Sequence, residues 1–218
     1  MIWANRNGFF YALNRDNGQF LHGAPFVKQT WAKGLDGKGR PIRIPESSPS
    51  PNGTLVYPGV QGATNWWSPS YDPVLDLMFI PAIEHAGMYY SINHSELKKG
   101  ELYLSGFTEA APGVPHYREV VAVKASDGTV AWTHRCPSSL DEDLHLSGLT
   151  STAGGLVFAS DEANFFALDA KDGKPLWNFP AGGRITASPV TYSIDGTQYV
   201  SVAAGRAVVT FALVRGTP

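Results

Sequence analysis

The chain has 218 residues, of which 43% are apolar and 17% are charged, and its formal net charge is −2. This length allows one large domain or two small ones with a substantial core. No basic stripe is present, which argues against a nucleic-acid partner, and no apolar run approaches the roughly 18 residues that a membrane-spanning helix needs.

The N-terminal residues and the cysteine and histidine content argue against several further features. MIWANRNGFF lacks the basic start, continuous apolar stretch and small-residue cleavage site of a signal peptide. Cys136 is the only cysteine, so an intrachain disulfide and a zinc site of several thiolates are both excluded. We expect Cys136 to be a buried, inert thiol. The six histidines include no HExxH and no helical pair, which argues against zinc chemistry.

Short apolar runs bounded by Gly, Pro, Asn and Asp dominate the chain, which contains 23 glycines and 16 prolines. Long stretches with a 3.6-residue period are nearly absent. This pattern predicts an all-β fold of many short strands joined by tight turns.

Three segments share one template: ALNRDNGQFLH from Ala12, AVKASDGTVAW from Ala122 and ALDAKDGKPLW from Ala167. Each has alanine first, a polar residue third, glycine seventh and a ring eleventh. The ring is Trp132 or Trp177, with His22 in the first copy. An apolar strand, a turn rich in Asp, Asn and Gly, and a second strand predict a β-hairpin whose ring can pack on a neighbouring unit.

The spacing of the copies predicts how many units there are. The second and third copies begin 45 residues apart, which fits one four-stranded unit. The first and second begin 110 apart, which fits two units and an insertion predicted at 28–58. A strand pair without the template is predicted near 77–81 and 89–92. We therefore predict about four β-propeller blades of four antiparallel strands, forming a single propeller region over 1–218; a solenoid or a sandwich is the alternative.

Four blocks make the sequence recognisable: WANRNGFFYALNRDNGQFL, VYPGVQGATNWWSPSYDP, TAGGLVFASDEANFFALDAKDGKPLW and ITASPVTYSIDGTQYVSVAAG. From Ile2 to Leu213 the chain resembles the pyrroloquinoline quinone (PQQ)-dependent alcohol dehydrogenases. The resemblance implies the C-terminal half of an eight-bladed propeller with tryptophan docking motifs, with PQQ and usually calcium near its axis. It also implies alcohol oxidation in the periplasm, with electrons passing to a cytochrome.

The resemblance also implies what this chain lacks. In the family, the aspartate catalytic base and the Glu, Asn and Asp that hold calcium lie upstream of the block that resembles NRNGFF. The vicinal disulfide and the tryptophan beneath the cofactor lie there too. None has a counterpart here, so we expect no metal ligands and no complete catalytic apparatus in this chain, and its enzyme status stays open.

The resemblance implies three cofactor-binding residues: Arg6, Asn65 and Trp66. Arg6 of NRNG would contact the quinone oxygens, a task that suits a planar, always charged group. Asn65 would hydrogen-bond PQQ as both donor and acceptor, and Trp66 would lie beside the cofactor edge. Without the resemblance, Arg6 is a surface cation and Asn65 forms an Asx turn. We expect Trp67 to be core.

Other conspicuous residues have structural interpretations. Asp141, Glu142 and Asp143 are consecutive and lack the spacing of an EF-hand, which favours a solvated acidic turn over a calcium site. Trp31, Trp132 and Trp177 are expected to pack, and no CxxCH is present to attach a c-type haem.

A second hypothesis is a non-catalytic half-propeller that acts as a scaffold or interaction module. Its open blade edges would favour a homodimer, or would pair with a missing N-terminal half. A small closed propeller is a third possibility. Under the first hypothesis the partners are a small alcohol and a cytochrome.

Overall fold

A computed structural model describes residues 1–92, 98–136 and 146–213. The structure is all-β, as predicted, and its only helical element within those ranges is a single 3-10 turn at Pro45–Ser47. The strands are, in chain order, β1 (Ile2–Ala4), β2 (Phe9–Leu13), β3 (Phe20–Pro25), β4 (Ala32–Leu35), β5 (Pro41–Arg43), β6 (Thr54–Val56), β7 (Ser70–Asp72), β8 (Leu77–Glu84), β9 (Gly87–Ser91), β10 (Gly106–Ala110), β11 (Tyr117–Lys124), β12 (Val130–Arg135), β13 (Thr150–Ser151), β14 (Leu156–Asp161), β15 (Asn164–Asp169), β16 (Pro175–Pro180), β17 (Val190–Ile194), β18 (Thr197–Ala204) and β19 (Ala207–Ala212).

The chain divides into two compact units. The first comprises Met1–Asn65 and Ile83–Tyr117, and the second comprises Trp66–Ala82 and Arg118–Pro218. The first unit holds a sheet of order β1-β2-β3, a sheet of order β10-β9-β6 and the two-stranded ladder β4-β5. All three are antiparallel.

The sheets of the second unit are β12-β11-β8-β7, β13-β14-β15-β16 and β17-β18-β19. The first two have four strands, which agrees with the predicted blades. In β13-β14-β15-β16 all neighbours are consecutive and antiparallel, whereas the other sheet passes from β8 to β11. The middle strands of these two sheets carry most of the buried side chains, because each middle strand is paired on both edges. The central strand β14 and its partner β15, for example, bury Val157, Ala159, Phe165 and Leu168 completely.

All three template copies are β-hairpins, as predicted: β2 pairs with β3, β11 with β12 and β15 with β16. Their turns share one geometry. The amide of the seventh-position glycine donates to the carbonyl of the third-position residue at 2.8 Å in each copy. That glycine has φ of +73° in Gly18, +79° in Gly128 and +74° in Gly173, a region that L-residues avoid.

The ring that ends the second copy contacts the third. The indole Nε1 of Trp132 donates to the carbonyl of Ala170 at 3.1 Å. A Cβ built on Gly173 would lie 2.5 Å from the Trp132 ring, so the glycine is the surface on which the indole rests. Trp177 packs differently, against Phe165, Phe179 and Phe211.

One part of the strand prediction was wrong. The regions 77–81 and 89–92 both contain strand, but β8 and β9 do not pair with each other. β8 is almost fully buried and pairs with β7 and β11 in a four-stranded sheet, whereas β9 is only half-buried and pairs with β6 and β10. The apolar sequence of β8, LMFIPAI, suits a central strand, and β11 rather than β9 provides its partner.

The segment 28–58, predicted as an insertion, contains β4, β5, the 3-10 turn and β6. Cys136 is 3% exposed and lies in the core of the second unit, in agreement with the prediction of a buried thiol. Burial raises the pKa of its thiol well above the ordinary value, so the inert neutral form is favoured.

Candidate functional site

The turn between β1 and β2 presents Arg6. The Oδ1 atom of Asn5 accepts the amide of Asn7 at 2.9 Å, and the Oδ1 atom of Asn7 accepts the amide of Phe9 at 3.0 Å. Gly8 follows with φ of +93°. Two Asx-type bonds and a glycine therefore brace the sequence Asn-Arg-Asn-Gly, and the side chain of Arg6 is left exposed at its tip.

The segment 59–65 folds against that turn. The amide of Ala63 donates to the carbonyl of Arg6 at 2.8 Å, and the amide of Ile83 donates to the carbonyl of Ala63 at 2.8 Å. Gly62 has φ of +78°, and a Cβ placed on it would lie 2.9 Å from both the Cβ and the carbonyl oxygen of Arg6. Only glycine permits this approach of the two segments.

Arg6 and Asn65 both donate side-chain hydrogen bonds to carbonyls of this segment. The Nη2 atom of Arg6 donates to the carbonyl of Val60 at 2.7 Å, and the Nδ2 atom of Asn65 donates to the carbonyl of Gln61 at 3.2 Å. These carbonyls are neighbours in the chain. Two of the three predicted site residues thus donate hydrogen bonds to one short turn.

The two tryptophans that follow differ in burial. Trp66 is 64% exposed and Trp67 is 3% exposed, although their ring centroids are only 6.1 Å apart. The interpretation of Trp67 as core is confirmed. Trp66 belongs to the second unit, and most of its side chain is exposed.

A cavity of about 430 Å³ adjoins Arg6 in the first unit. Its walls include Arg6 and Arg43 as charged groups, Trp31 and Tyr89 as aromatic groups, and the Pro58–Gly62 turn. Within the described ranges, no aspartate or glutamate lines it. The cavity is therefore positively charged and partly aromatic.

Tyr89 lies close enough to Arg6 for the charge to matter. Burial raises the pKa of the Tyr89 phenol, and the Arg6 charge opposes that effect. The phenol is neutral near neutral pH and remains available as a hydrogen-bond donor.

His85 packs against Gly59, which precedes the residue whose carbonyl accepts the hydrogen bond of Arg6. The amide of Gly59 donates to the carbonyl of His85 at 3.0 Å, and a Cβ on Gly59 would come within 2.5 Å of the imidazole Cε1. His85 is 7% exposed, and its Nε2 has no hydrogen-bond partner in the described part of the chain. Burial lowers the pKa of His85; the backbone of Ala86 and of Gly62 opposes this shift, and the charge of His116 adds to it.

The sequence interpretation missed Trp31, Arg43, Tyr89 and His85 as neighbours of the candidate site. Trp31 was expected only to pack. It does pack, edge-on to Phe9 at 6.0 Å between ring centroids, but it also forms a wall of the cavity. No local motif marks these four residues. The β4-β5 hairpin carries Arg43 and follows Trp31, and the longer-range pairing of β9 with β6 positions Tyr89.

No group of three or more His, Cys, Asp or Glu side chains is arranged to hold a metal ion in residues 1–92, 98–136 and 146–213. The acidic run Asp141, Glu142 and Asp143 lies outside these described residues. Over the same ranges, no helix has the length and apolar character needed to cross a membrane.

The sequence is similar to known proteins along most of its length. The family model described as outer membrane protein assembly factor BamB matches residues 114–217. The quinoprotein alcohol dehydrogenase PedH of Pseudomonas putida is 38% identical over 93% of this chain and 35% of its own length. The 1-butanol dehydrogenase (cytochrome c) of Thauera butanivorans is 33% identical over 94% of this chain and 30% of its own length.

Comparison of the fold with solved structures also finds alcohol dehydrogenases of this kind. The solved structure of the quinohemoprotein alcohol dehydrogenase ADHIIG of Pseudomonas putida HK5 matches with a TM-score of 0.82 and 32% identity, over 95% of this chain and 32% of that chain. The chain spans about a third of the length of the relatives that it matches. In sequence and in fold, this chain is therefore similar to about a third of the length of quinoprotein alcohol dehydrogenases.

Proposed function

We propose that this chain contributes part of the cofactor site of a PQQ-dependent alcohol dehydrogenase, which oxidises alcohols in the periplasm and passes electrons to a cytochrome. The observation that supports this most directly is that Arg6 and Asn65 donate hydrogen bonds to neighbouring carbonyls of one turn. A relative whose printed name includes cytochrome c is consistent with that acceptor.

The chemistry of these residues fits the cofactor. PQQ combines an ortho-quinone with carboxylates, so it needs cationic and hydrogen-bonding partners. Arg6 is paired with no carboxylate among the described residues, and its single hydrogen bond there, to Val60, leaves other guanidinium N–H groups available. When bound, PQQ supplies the electron acceptor for alcohol oxidation.

Each of the three residues has a distinct task in this proposal. Arg6 would bind a quinone oxygen of PQQ through charge-assisted hydrogen bonds. The amide of Asn65 fixes the orientation of the ring as donor and acceptor. By the family resemblance, Trp66 would offer the flat apolar face of its indole to the cofactor edge. Calcium is expected from the family resemblance alone, and we assign no residue of this chain as its ligand.

Cofactor retention tests the proposal. The purified chain is incubated with PQQ and Ca²⁺ and desalted, and the quinone absorbance that remains with the protein is measured. We expect retention by the wild-type chain and by Arg15→Gln, whose side chain is 86% exposed. Retention should fall about tenfold or more in Arg6→Gln and in Asn65→Ala, which is the loss expected for hydrogen bonds that involve charge. Equal retention in all four proteins would contradict the proposed roles.

A self-associating scaffold is the second candidate. It is favoured by the edge strand β19, which carries Val208 at 73% exposure, and by the adjacent Leu213 at 66%. Exposed apolar side chains on a strand whose outer edge has no partner among the described residues promote association through that edge. Light scattering at micromolar concentration should then show a dimer, and a stable monomer would exclude this candidate.

A further inference from the structure

A second cationic side chain, that of Arg43, lines the cavity beside Arg6. Arg43 ends β5, and its guanidinium makes no ion pair or hydrogen bond to any residue that the structure describes. No carboxylate among those residues lines the cavity. Because the proposal above assigns Arg6 to the cofactor, Arg43 is the cation that remains to attract a second anion into this concave site.

The Arg43 side chain is exposed, but its backbone is positioned by its own hairpin. The Oδ1 atom of Asp36 accepts the amides of Lys38 at 2.8 Å and of Arg40 at 2.9 Å, which closes the turn between β4 and β5. The residue after Arg43, Ile44, donates its amide to the carbonyl of Trp31 at 2.9 Å. The backbone that carries Arg43 is therefore tied to the aromatic wall of the same cavity.

The aromatic wall is also fixed. The Nε1 atom of Trp31 donates to the carbonyl of Asn7 at 3.0 Å, so the position of the indole is set by the braced turn that carries Arg6. Tyr89 lines the cavity as well. A volume of about 430 Å³ suits a small molecule with a flat or apolar skeleton.

We propose that this cavity receives the carboxylate end of the substrate, so that the natural substrate is an alcohol that also carries a carboxylate, and that Arg43 determines this preference. The guanidinium of Arg43 forms a bidentate pair with the carboxylate, and Trp31 and Tyr89 enclose the skeleton between them. This inference rests on the proposed function, because it places the substrate next to Arg6.

Binding of matched probes to the full 218-residue chain tests the inference. The probes are 4-(hydroxymethyl)benzoate and benzyl alcohol, which share a skeleton and differ in charge, and binding is followed by tryptophan fluorescence and calorimetry. We expect the carboxylate probe to bind about tenfold more tightly or better. Arg43→Gln should remove this preference and leave benzyl alcohol unchanged, Arg43→Lys should retain part of it, and Arg15→Gln should retain all of it.

Equal affinity for the two probes, or an unchanged preference in Arg43→Gln, would overturn the inference. PQQ distinguishes the two possible sources of the carboxylate. If the cavity belongs to the substrate, Arg43→Gln retains PQQ as the wild type does; if Arg43→Gln loses PQQ, the carboxylate is that of the cofactor and the inference is wrong. Failure of the wild type to retain PQQ, with the carboxylate preference intact, would contradict the proposed function alone.

Discussion

Arg6 and Asn65 donate hydrogen bonds to consecutive carbonyls, those of Val60 and Gln61. Two side chains far apart in the sequence thus share one short turn. The turn can reach Arg6 only because Gly62 lacks a side chain.

Gly62→Ala should displace Arg6. Its φ of +78° strains any L-residue, and the new methyl group would lie 2.9 Å from Arg6 Cβ and its carbonyl oxygen. Gly18→Ala is the matched control, because it has φ of +73° but no atom within 4 Å of the added Cβ. We expect Gly18→Ala to lower the free energy of unfolding by about 1–2 kcal/mol without affecting PQQ retention. Gly62→Ala should cost more and should reduce retention, and identical behaviour of the two variants would argue against the importance of this contact.

The buried His85 should make the first unit less stable at acidic pH. Burial lowers its folded-state pKa below the ordinary value of 6.5. As the pH falls below 6.5, the unfolded chain therefore takes up a proton that the folded chain does not, and the free energy of unfolding falls until the folded pKa is reached. Urea denaturation at about pH 7.5 and about pH 5.5 measures this difference. It should be smaller in His85→Asn, whereas an unchanged difference would show that other groups cause it.

An ion pair inside the second unit should be costly to break. Arg118 Nη2 lies 2.9 Å from Asp161 Oδ1, and the two side chains are 4% and 5% exposed. Arg118→Met leaves the Asp161 carboxylate buried without this counter-charge, so we expect a loss of about 3–5 kcal/mol in the free energy of unfolding. The double variant Arg118→Met/Asp161→Leu should recover much of that loss. A double variant no more stable than the single one would contradict this explanation.

Because its indole makes a hydrogen bond, Trp132 in the second repeat should contribute more to the free energy of unfolding than Trp177 in the third. Trp132→Phe removes the donor to the Ala170 carbonyl, and we expect the free energy of unfolding to fall by about 1–2 kcal/mol. Trp177→Phe is the matched control: its indole is 37% exposed and is held by ring contacts, so its loss should be smaller. Chemical denaturation compares the two, and equal losses would mean that ring volume alone matters.

Local chemistry made the repeats predictable. The Asp-, Asn- and Gly-rich turns set their own geometry, so the hairpins that contain Gly18, Gly128 and Gly173 could be located from the sequence. The pairing of β8 could not, because an apolar strand can pair with any suitable edge and its partner is chosen by long-range packing.

The site was predictable only in part. Arg6 and Asn65 were named from family blocks, and the structure adds that they share a turn. Arg43, Trp31 and Tyr89 lie in segments without a motif, and only the pairing of β4 with β5 and of β9 with β6 brings them to one cavity. The sequence could suggest different roles for Trp66 and Trp67, but only burial separates them physically, at 64% and 3% exposed.

Side-chain NMR during a PQQ titration tests the central claim most directly. The Arg6 Nε–H and Asn65 Nδ2–H₂ resonances are assigned with the variants Arg6→Gln and Asn65→Ala, and PQQ is added with Ca²⁺ present. We predict that both resonances shift and saturate at the same PQQ concentration, while the exposed Arg15 resonance stays in place. Bound PQQ that shifts neither Arg6 nor Asn65 would contradict the account.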